Sequence, residues 1–358
     1  MAVGAETTAP PLADDPFKIP LWDWSAGVRG AGGYKDNVTL SHTNGPGGAF
    51  WMSEAEVMLF RLPTKGWFFN AFADFADTRY FDVPSVKSEQ VGVTGLQLSK
   101  AFHNGWNSTF GVTGLYQNQV LDYADAYTNQ NSIGQIVGTT LAPRWSVRKT
   151  WAALWVEAEI SGTRQWFDAP LDSYWAYGPR LALGHGWGQG SEISLSYQFS
   201  RLDYDGRPQV TAAGASIPDT LLALNVHAAE LSLTHFWDAK QRWQTLSGVG
   251  VAANFDNGAG YYDYANGHIS QRVRYRDEQW EVSLQAKLNF YGYLNQSVSA
   301  TDLEKRQRTL MNLGLRAERK LTKHFLVHVS YLFDRSFSNQ EFEDYLANTF
   351  MAGIGLTI

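Results

Sequence analysis

Charged residues at alternate positions are the feature of this sequence that could do chemistry. Arg272, Arg274 and Arg276 alternate with apolar residues, so an extended chain would place the three guanidinium groups on one face. Three neighbouring cations repel each other unless anionic groups or a packed loop compensate for them. A row of fixed charges beside water sets ion preference, and the row predicts that Arg274→Glu would shift that preference towards cations.

Other charged residues recur at the same period, acidic in the earlier segments and basic in the later ones. The earlier set contains Glu54, Glu56, Asp74, Glu157, Glu159, Arg180, Glu192 and Glu230, and the later set contains Arg272, Arg274, Arg276, Lys287 and Arg316, with Glu281 and Glu318 among them. On the wall of one pore the two sets would face each other and polarise the lumen. The alternative is that the charges only solvate a water-facing wall and pair across neighbouring strands.

A long amphipathic strand must position these side chains. Residues 279–295 alternate strictly between polar positions and apolar or small ones. A strand in a soluble protein usually has about 5 or 6 residues, whereas a membrane strand needs about 9 to 11. Trp280 and Phe290 lie towards the two ends of the apolar face, as the aromatic girdles of a membrane barrel require. Because one strand alone would leave its backbone unpaired in lipid, the pattern must repeat until a sheet closes.

The alternation does repeat, with short turns and long connections in regular succession. It predicts an all-β fold, a transmembrane antiparallel up-and-down β-barrel of about 16 strands with short periplasmic turns and long extracellular loops. About sixteen strands leave an aqueous lumen. Because the number of strands is even, we expect both termini at the periplasmic rim. The last strand then pairs with the first. The phase of the strand near residues 90–101 is ambiguous, and the long loop 203–220 is a candidate to fold into the pore.

Composition agrees with strands rather than membrane helices. The 358 residues are 14% aromatic and 18% charged, and they carry a formal net charge of -6. No apolar run approaches the roughly 18 residues of a membrane helix. Residues 1–20 are rich in Pro, Ala and Asp and contain no signal peptide, so we expect a mature exported chain with a flexible periplasmic segment at 1–20 and a barrel at 21–358.

No motif for catalysis, metal binding or haem attachment is present. The chain has no cysteine, and it contains no GxSxG, HExxH or CxxCH sequence. A hydrolytic site could be assembled only from scattered residues, either His42 with Ser41 or His268 with Ser270 and Asp263. We therefore expect no enzyme, no metal site and no cofactor, and an outer-membrane hydrolase is the less favoured alternative.

The C-terminal region carries a recognisable pattern. It consists of Tyr331, Asp334, Arg335, Ser338, Asn339, Tyr345 and Asn348, followed by a terminal amphipathic strand with Phe350, Ile354, Leu356 and Ile358. This pattern resembles the last hairpin of porin-like Gram-negative outer-membrane barrels, including barrel domains of exopolysaccharide exporters and lipoprotein-translocating proteins. The resemblance implies insertion by the barrel-assembly machinery, with the final strand as the recognition signal. The chain departs from it by ending in Ile358 rather than an aromatic residue and by carrying no helical repeats.

These observations predict a porin-like channel of the cell outer membrane that passes small polar or charged solutes. The alternatives are an export barrel for polysaccharide or protein and a structural sleeve for a partner such as a multihaem cytochrome. Inward aromatics, namely Trp155, Tyr291 and Tyr293, could form a track for sugars. Expected partners are outer-membrane lipid and lipopolysaccharide, with a periplasmic protein and a second copy of the chain as candidates. No nucleic-acid partner is expected.

Overall fold

Alternating polar and apolar residues build sixteen antiparallel strands that close on themselves. The structure is a computed structural model that describes residues 21–43, 45–122, 133–299 and 301–358. The segment 1–20, predicted to be flexible, lies outside the described residues. Among the described residues, no helix is long and apolar enough to cross a membrane. The predicted fold class and the number of strands are confirmed.

The strands run for 13 to 19 residues. Their bounds are β1 Trp22–Lys35, β2 Gly48–Thr64, β3 Trp67–Tyr80, β4 Ser88–Ala101, β5 Trp106–Asp122, β6 Ile133–Trp151, β7 Leu154–Phe167, β8 Tyr174–Trp187, β9 Ser191–Tyr204, β10 Ala223–Phe236, β11 Trp243–Asp256, β12 Tyr264–Arg276, β13 Trp280–Ser297, β14 Lys305–Lys320, β15 Phe325–Ser338 and β16 Tyr345–Thr357. Two single 3-10 turns, His103–Gly105 and Glu341–Glu343, complete the regular structure of the described residues.

Each strand pairs with its neighbours in sequence, and β16 pairs with β1 from Gly27 opposite Thr357 to Lys35 opposite Thr349. Turns of two to six residues join the strands at one rim, and connections of six to eighteen residues join them at the other. The start of β1 and the end of β16 both lie at the short-turn rim, as predicted. Lys65 and Gly66 form the shortest kind of turn with positive φ at both positions, a conformation that suits the twist of a hairpin.

The outward parity forms an apolar belt with aromatic side chains at both edges. Near the short turns the exposed aromatics are Trp22, Trp24, Trp67, Trp106, Trp151, Trp187, Trp243, Trp280 and Phe325, and towards the long loops they are Tyr34, Trp51, Tyr116, Trp166, Trp175, Phe255, Phe337 and Phe350. Aliphatic residues such as Leu181, Val249 and Leu284 lie exposed between the two edges. A continuous apolar belt of this extent is stable in lipid and not in water.

The phase of β4, which the sequence left ambiguous, follows from its partners. Val93 lies opposite Asp74 of β3 and Leu115 of β5, and Gln97 lies opposite Asn70. The odd positions of β4 therefore face inward with the polar parity of β3. The even positions, which include the exposed Leu96 and Leu98, face outward.

Candidate functional site

The inner wall of the barrel is the candidate functional site. Every charged residue predicted to line the pore lies on the inward parity of its strand, as the register of each pair requires. Glu56, for example, lies opposite Gly27 and Asp74, and Arg272 lies opposite Leu246 and Gln285. The structure thus brings the predicted residues to one enclosed surface. Their effect on solutes stays a prediction.

Many of the acidic side chains pair with arginines of neighbouring strands. Arg29 of β1 contacts Glu54 at 2.7 Å and Glu56 at 3.2 Å. Arg148 of β6 contacts Glu157 at 2.9 Å. Arg29 and Arg148 are not among the predicted pore-lining residues, although both lie on the inner parity. The signal that identifies them is the register, because Arg29 lies directly opposite Glu54 and Arg148 directly opposite Glu157.

The row of arginines on β12 is partly compensated in the same way. Glu281 of β13 contacts Arg274 at 2.8 Å and Arg276 at 3.6 Å. Arg316 pairs with Glu318 at 2.5 Å, two residues further along β14. The repulsion expected within the row is therefore reduced by anionic groups. Local pairing across strands accounts for a large part of the charge pattern.

Several inward charges have no ion-pair partner within the described part of the chain, including Glu159, Glu192 and Glu230. Asp74 of β3 is another, and Arg272 of β12 and Lys287 of β13 are the cationic counterparts. In a ring of sixteen strands, β3 and β12–β13 lie on opposite walls. Asp74 and Lys287 each lie seven residues beyond the tryptophan that begins the strand, so their heights above the short-turn rim are similar. Asp74 therefore faces Arg272 and Lys287 across the lumen.

The cationic wall is concave. Arg272 and Lys287 border a depression of about 440 Å³, and Glu230 lies on its far side. Its other inward polar lining residues are Ser232, Thr234, Ser270, Gln285 and Asn312. Hydroxyl and amide groups of this kind can exchange hydrogen bonds with a hydrated solute. The depression can accept a small polar or anionic group without displacing any packed side chain.

Known proteins similar to this chain are found among solved structures. No family model and no curated protein matches the chain. Among solved structures, OccAB4 of Acinetobacter baumannii is 10% identical with a TM-score of 0.49, covering 96% of this chain and 100% of its own. OccAB1 of the same organism is 7% identical with a TM-score of 0.48, covering 94% and 96%. An anion-selective porin from Comamonas acidovorans is 10% identical with a TM-score of 0.45, covering 94% and 99%.

The end of β5 reaches across the long-loop mouth of the barrel. Asp122, the last residue of β5, forms an ion pair with Arg308 of β14. These strands are seven positions apart around the ring. Val120 packs in an apolar cluster with Val38 of the β1–β2 loop and Tyr345 of β16. Part of the mouth is therefore covered by contacts between walls that do not neighbour each other.

The long loop 203–220 packs away from the contact between the end of β5 and β14. Val210 and Leu222 pack on the inner-parity side chains Leu202 and Leu224, next to the strands that carry the loop. At the start of the loop Arg164 donates hydrogen bonds to both carboxylate oxygens of Asp205, which lowers the pKa of Asp205. The loop thus lies at the rim beside β9 and β10, whereas the end of β5 contacts β14.

Buried charged side chains stabilise the contact between the end of β5 and β14. Arg308 is 2% exposed and Glu343 is 1% exposed. Arg308 donates a hydrogen bond of 2.9 Å to Ser336 in addition to its ion pair with Asp122. Arg306 pairs with Glu343 and donates to Gln296 at 2.8 Å. Because buried charges without partners are costly, the members of this network depend on each other.

The C-terminal pattern that carries the resemblance has a structural role in this network. Tyr331 donates a hydrogen bond to Asn348 at 2.7 Å, and Asp334 accepts one from Tyr345 at 3.3 Å. Ser338 donates to Glu343 at 3.0 Å. The pattern therefore shapes the last loop and supports the buried charges. The predicted assembly residues Phe350, Ile354, Leu356 and Ile358 all occupy the outward parity, and their recognition by the assembly machinery stays a prediction.

The inward aromatics do not form a track for sugars. Trp155, Tyr291 and Tyr293 are only 6% to 7% exposed. Arg148 lies 3.9 Å from the ring centroid of Trp155, and Arg306 lies 4.2 Å from that of Tyr293. The hypothesis is wrong for these residues because charged side chains and neighbouring tyrosines cover their rings.

The residue sets that could serve hydrolysis show no hydrogen-bonded nucleophile and base in the described residues. No hydrogen bond links His268 with Ser270 or Asp263 in the described ranges, and Asp263 instead accepts the backbone N–H of Asp256 at 2.7 Å. The hydroxyl of Ser41 donates to the carbonyl of Thr43. A nucleophile needs a base within hydrogen-bond reach. Neither set meets this geometric requirement.

Proposed function

We propose that the protein is a porin-like channel of the Gram-negative outer membrane that passes small polar or charged solutes through a charged, water-filled lumen. The observation that carries the proposal is the pair of opposite walls, Asp74 on one side and Arg272 with Lys287 on the other. Fixed charges on facing walls orient dipolar solutes and bias the passage of ions. The apolar outer belt supports the membrane location.

Solvent exposure of inward side chains also supports a water-filled lumen. The side chain of Glu56, within β2, is 38% exposed. Inward apolar residues such as Leu246 and Leu332 are 36% and 41% exposed. A barrel packed with side chains would bury these residues. Sixteen strands enclose more space than side chains can fill.

Ion preference is the first test of this proposal. Lys287→Glu and Arg272→Glu should each shift the reversal potential of the refolded protein in a planar bilayer towards cations. Contact energies between unit charges in water are on the order of 1 kcal/mol, so we expect a several-fold change in the permeability ratio. Arg274→Glu should give a smaller shift than Lys287→Glu, because Glu281 already neutralises Arg274.

The matched control is Arg242→Glu, which makes the same charge change in the turn between β10 and β11. Arg242 pairs with Asp238 outside the lumen, so its reversal should leave the permeability ratio unchanged. Equal effects of Arg242→Glu and Lys287→Glu would mean that surface charge alone sets selectivity. Unchanged reversal potentials in all variants would show that these charged residues do not line the path of the conducted ions.

The second candidate function requires a barrel that is closed at rest. Such a barrel could be an exporter of polysaccharide or protein, or a structural sleeve around a partner such as a multihaem cytochrome. The contact between Asp122 and Arg308 across the mouth favours it over a wide permanent opening. Conductance separates the two functions. Stable insertion without open steps at any salt concentration would favour the closed barrel.

A further inference from the structure

Two apolar side chains are exposed to water on the inner wall, where polar residues predominate. Met58 of β2 is 49% exposed and Phe72 of β3 is 41% exposed. They lie directly opposite each other in the register of β2 and β3, so they form one contiguous patch. Gly95 of β4 lies opposite Phe72, and a Cβ there would approach the Phe72 ring to 2.4 Å. The missing side chain gives the ring room to lie along the wall.

The apolar patch borders accessible carboxylates. Glu56 and Asp74 form the next inward pair of the same two strands, immediately above Met58 and Phe72. Carboxylate oxygens of Glu54, Glu56 and Asp74 all lie within 4.8 Å of one another. Carboxylates alone would not define a binding site. Beside an exposed aromatic ring, they determine which solute fits.

The local charge is negative and only partly compensated. Arg29 pairs with Glu54 and Glu56 and contributes one positive charge against three carboxylates. The side chain of Glu54 is 14% exposed, whereas that of Glu56 is 38% exposed, and Asp74 has no ion pair in the described residues. The accessible anionic groups are therefore Glu56 and Asp74. Both lie on the side of the cluster that borders the apolar patch.

We propose that this part of the wall is a binding site for organic monocations that carry an apolar or aromatic group. The ammonium group would lie against Asp74 and Glu56, and the apolar body would cover Met58 and Phe72. An aromatic face also attracts a cation, which raises affinity about two- to fivefold at exposed sites. A strongly hydrated metal ion would gain nothing from the apolar pair. As a substrate class for the lumen, the inference rests on the proposed channel function.

Calorimetry and conductance together test the site. Phenethylammonium chloride is titrated into the refolded full-length barrel in detergent, and its block of single-channel current is measured in a planar bilayer. Ethylammonium has the charge without the ring, and phenylacetate has the ring with the opposite charge. We expect phenethylammonium to bind more tightly than both and to reduce current at lower concentration.

Two variants remove the two halves of the site. Asp74→Asn should weaken phenethylammonium binding about three- to tenfold through the lost charge contact. Phe72→Ser should weaken it about two- to fivefold and bring it close to ethylammonium. The matched controls are Glu230→Gln and Leu246→Ser, which change an inward acid and an exposed inward apolar residue on the other side of the lumen. Both should bind as the unchanged protein does.

The outcomes separate this inference from the channel proposal. Ion conductance with equal affinity for phenethylammonium and ethylammonium would overturn the site and leave the channel intact. Selective binding without conductance would support the site and overturn the channel. Equal loss in the variants and in their controls would show that overall lumen charge and polarity determine binding, and would overturn the site.

Discussion

Arg308→Ala should destabilise the barrel by about 3 to 5 kcal/mol, because it removes the ion-pair partner of the buried Asp122 and one of the two arginines that compensate Glu343. Arg308 bonds Asp122, Ser336 and the backbone carbonyl of Glu343, and it is almost fully buried. Its removal also cuts the ionic contact that ties the end of β5 to β14. Equilibrium urea unfolding of the refolded protein, followed by tryptophan fluorescence, measures the change.

The control for Arg308→Ala is Arg201→Ala, which removes an arginine that pairs with Asp203 on the outward parity near the loop rim. Its side chain is 41% exposed, and exposed pairs contribute at most about 1 kcal/mol. Similar losses in the two variants would mean that burial does not determine the energy of the Arg308 network. Single-channel recordings add a second readout, since Arg308→Ala should raise conductance if the β5 crossing obstructs the mouth.

Leu284→Arg should destabilise the barrel by about 2 to 4 kcal/mol, the cost of a cation at mid-depth on the lipid face of a barrel. Leu284 is 52% exposed near the middle of the span, opposite Val273 of β12 and Leu315 of β14. All three side chains lie on the outward parity. Equilibrium unfolding from lipid vesicles measures the change directly.

The adjacent residue supplies the matched control. Gln285→Arg introduces the same side chain one position further along β13, on the inward parity opposite Arg272 and Gly314. Water solvates a cation there, so the loss should stay well below that of Leu284→Arg even though Arg272 lies directly opposite. A comparable cost at both positions would contradict the assignment of an apolar exterior and a wet interior.

The C-terminal pattern shows how a recognisable sequence can describe packing rather than activity. Asp334, Ser338 and Tyr345 contact one another or the buried Glu343 at the loop end of β15 and β16. A change at these positions would act first on the last loop and on the charge network below it. Arg335 differs, since it pairs with Asp344 at 2.8 Å and lies over Phe337 on the outward parity.

The sequence alone shows which side chains of a strand share a face, because successive side chains point to opposite faces whatever the strand pairs with. The alternation at Trp280, Val282 and Leu284 therefore determined an apolar exterior and a polar interior without knowledge of any neighbour. The regular succession of short turns and long loops determined closure of about sixteen strands by the same local reasoning. In β4, small and polar residues occupy both faces of the strand. Which face of β4 points inward therefore follows only from its pairing with β3 and β5.

Pairing across the barrel was decided by tertiary structure alone. Whether Glu54 stays free or meets Arg29 depends on the register of β1 against β2, and one residue of slip would move every side chain to the other face. The contact of Asp122 with Arg308 depends on closure, since the two residues are 186 positions apart in the chain. The sequence by itself determined which residues face the lumen. The closed sheet decided which of their charges remain available to a solute, because that depends on distances between strands that no local pattern encodes.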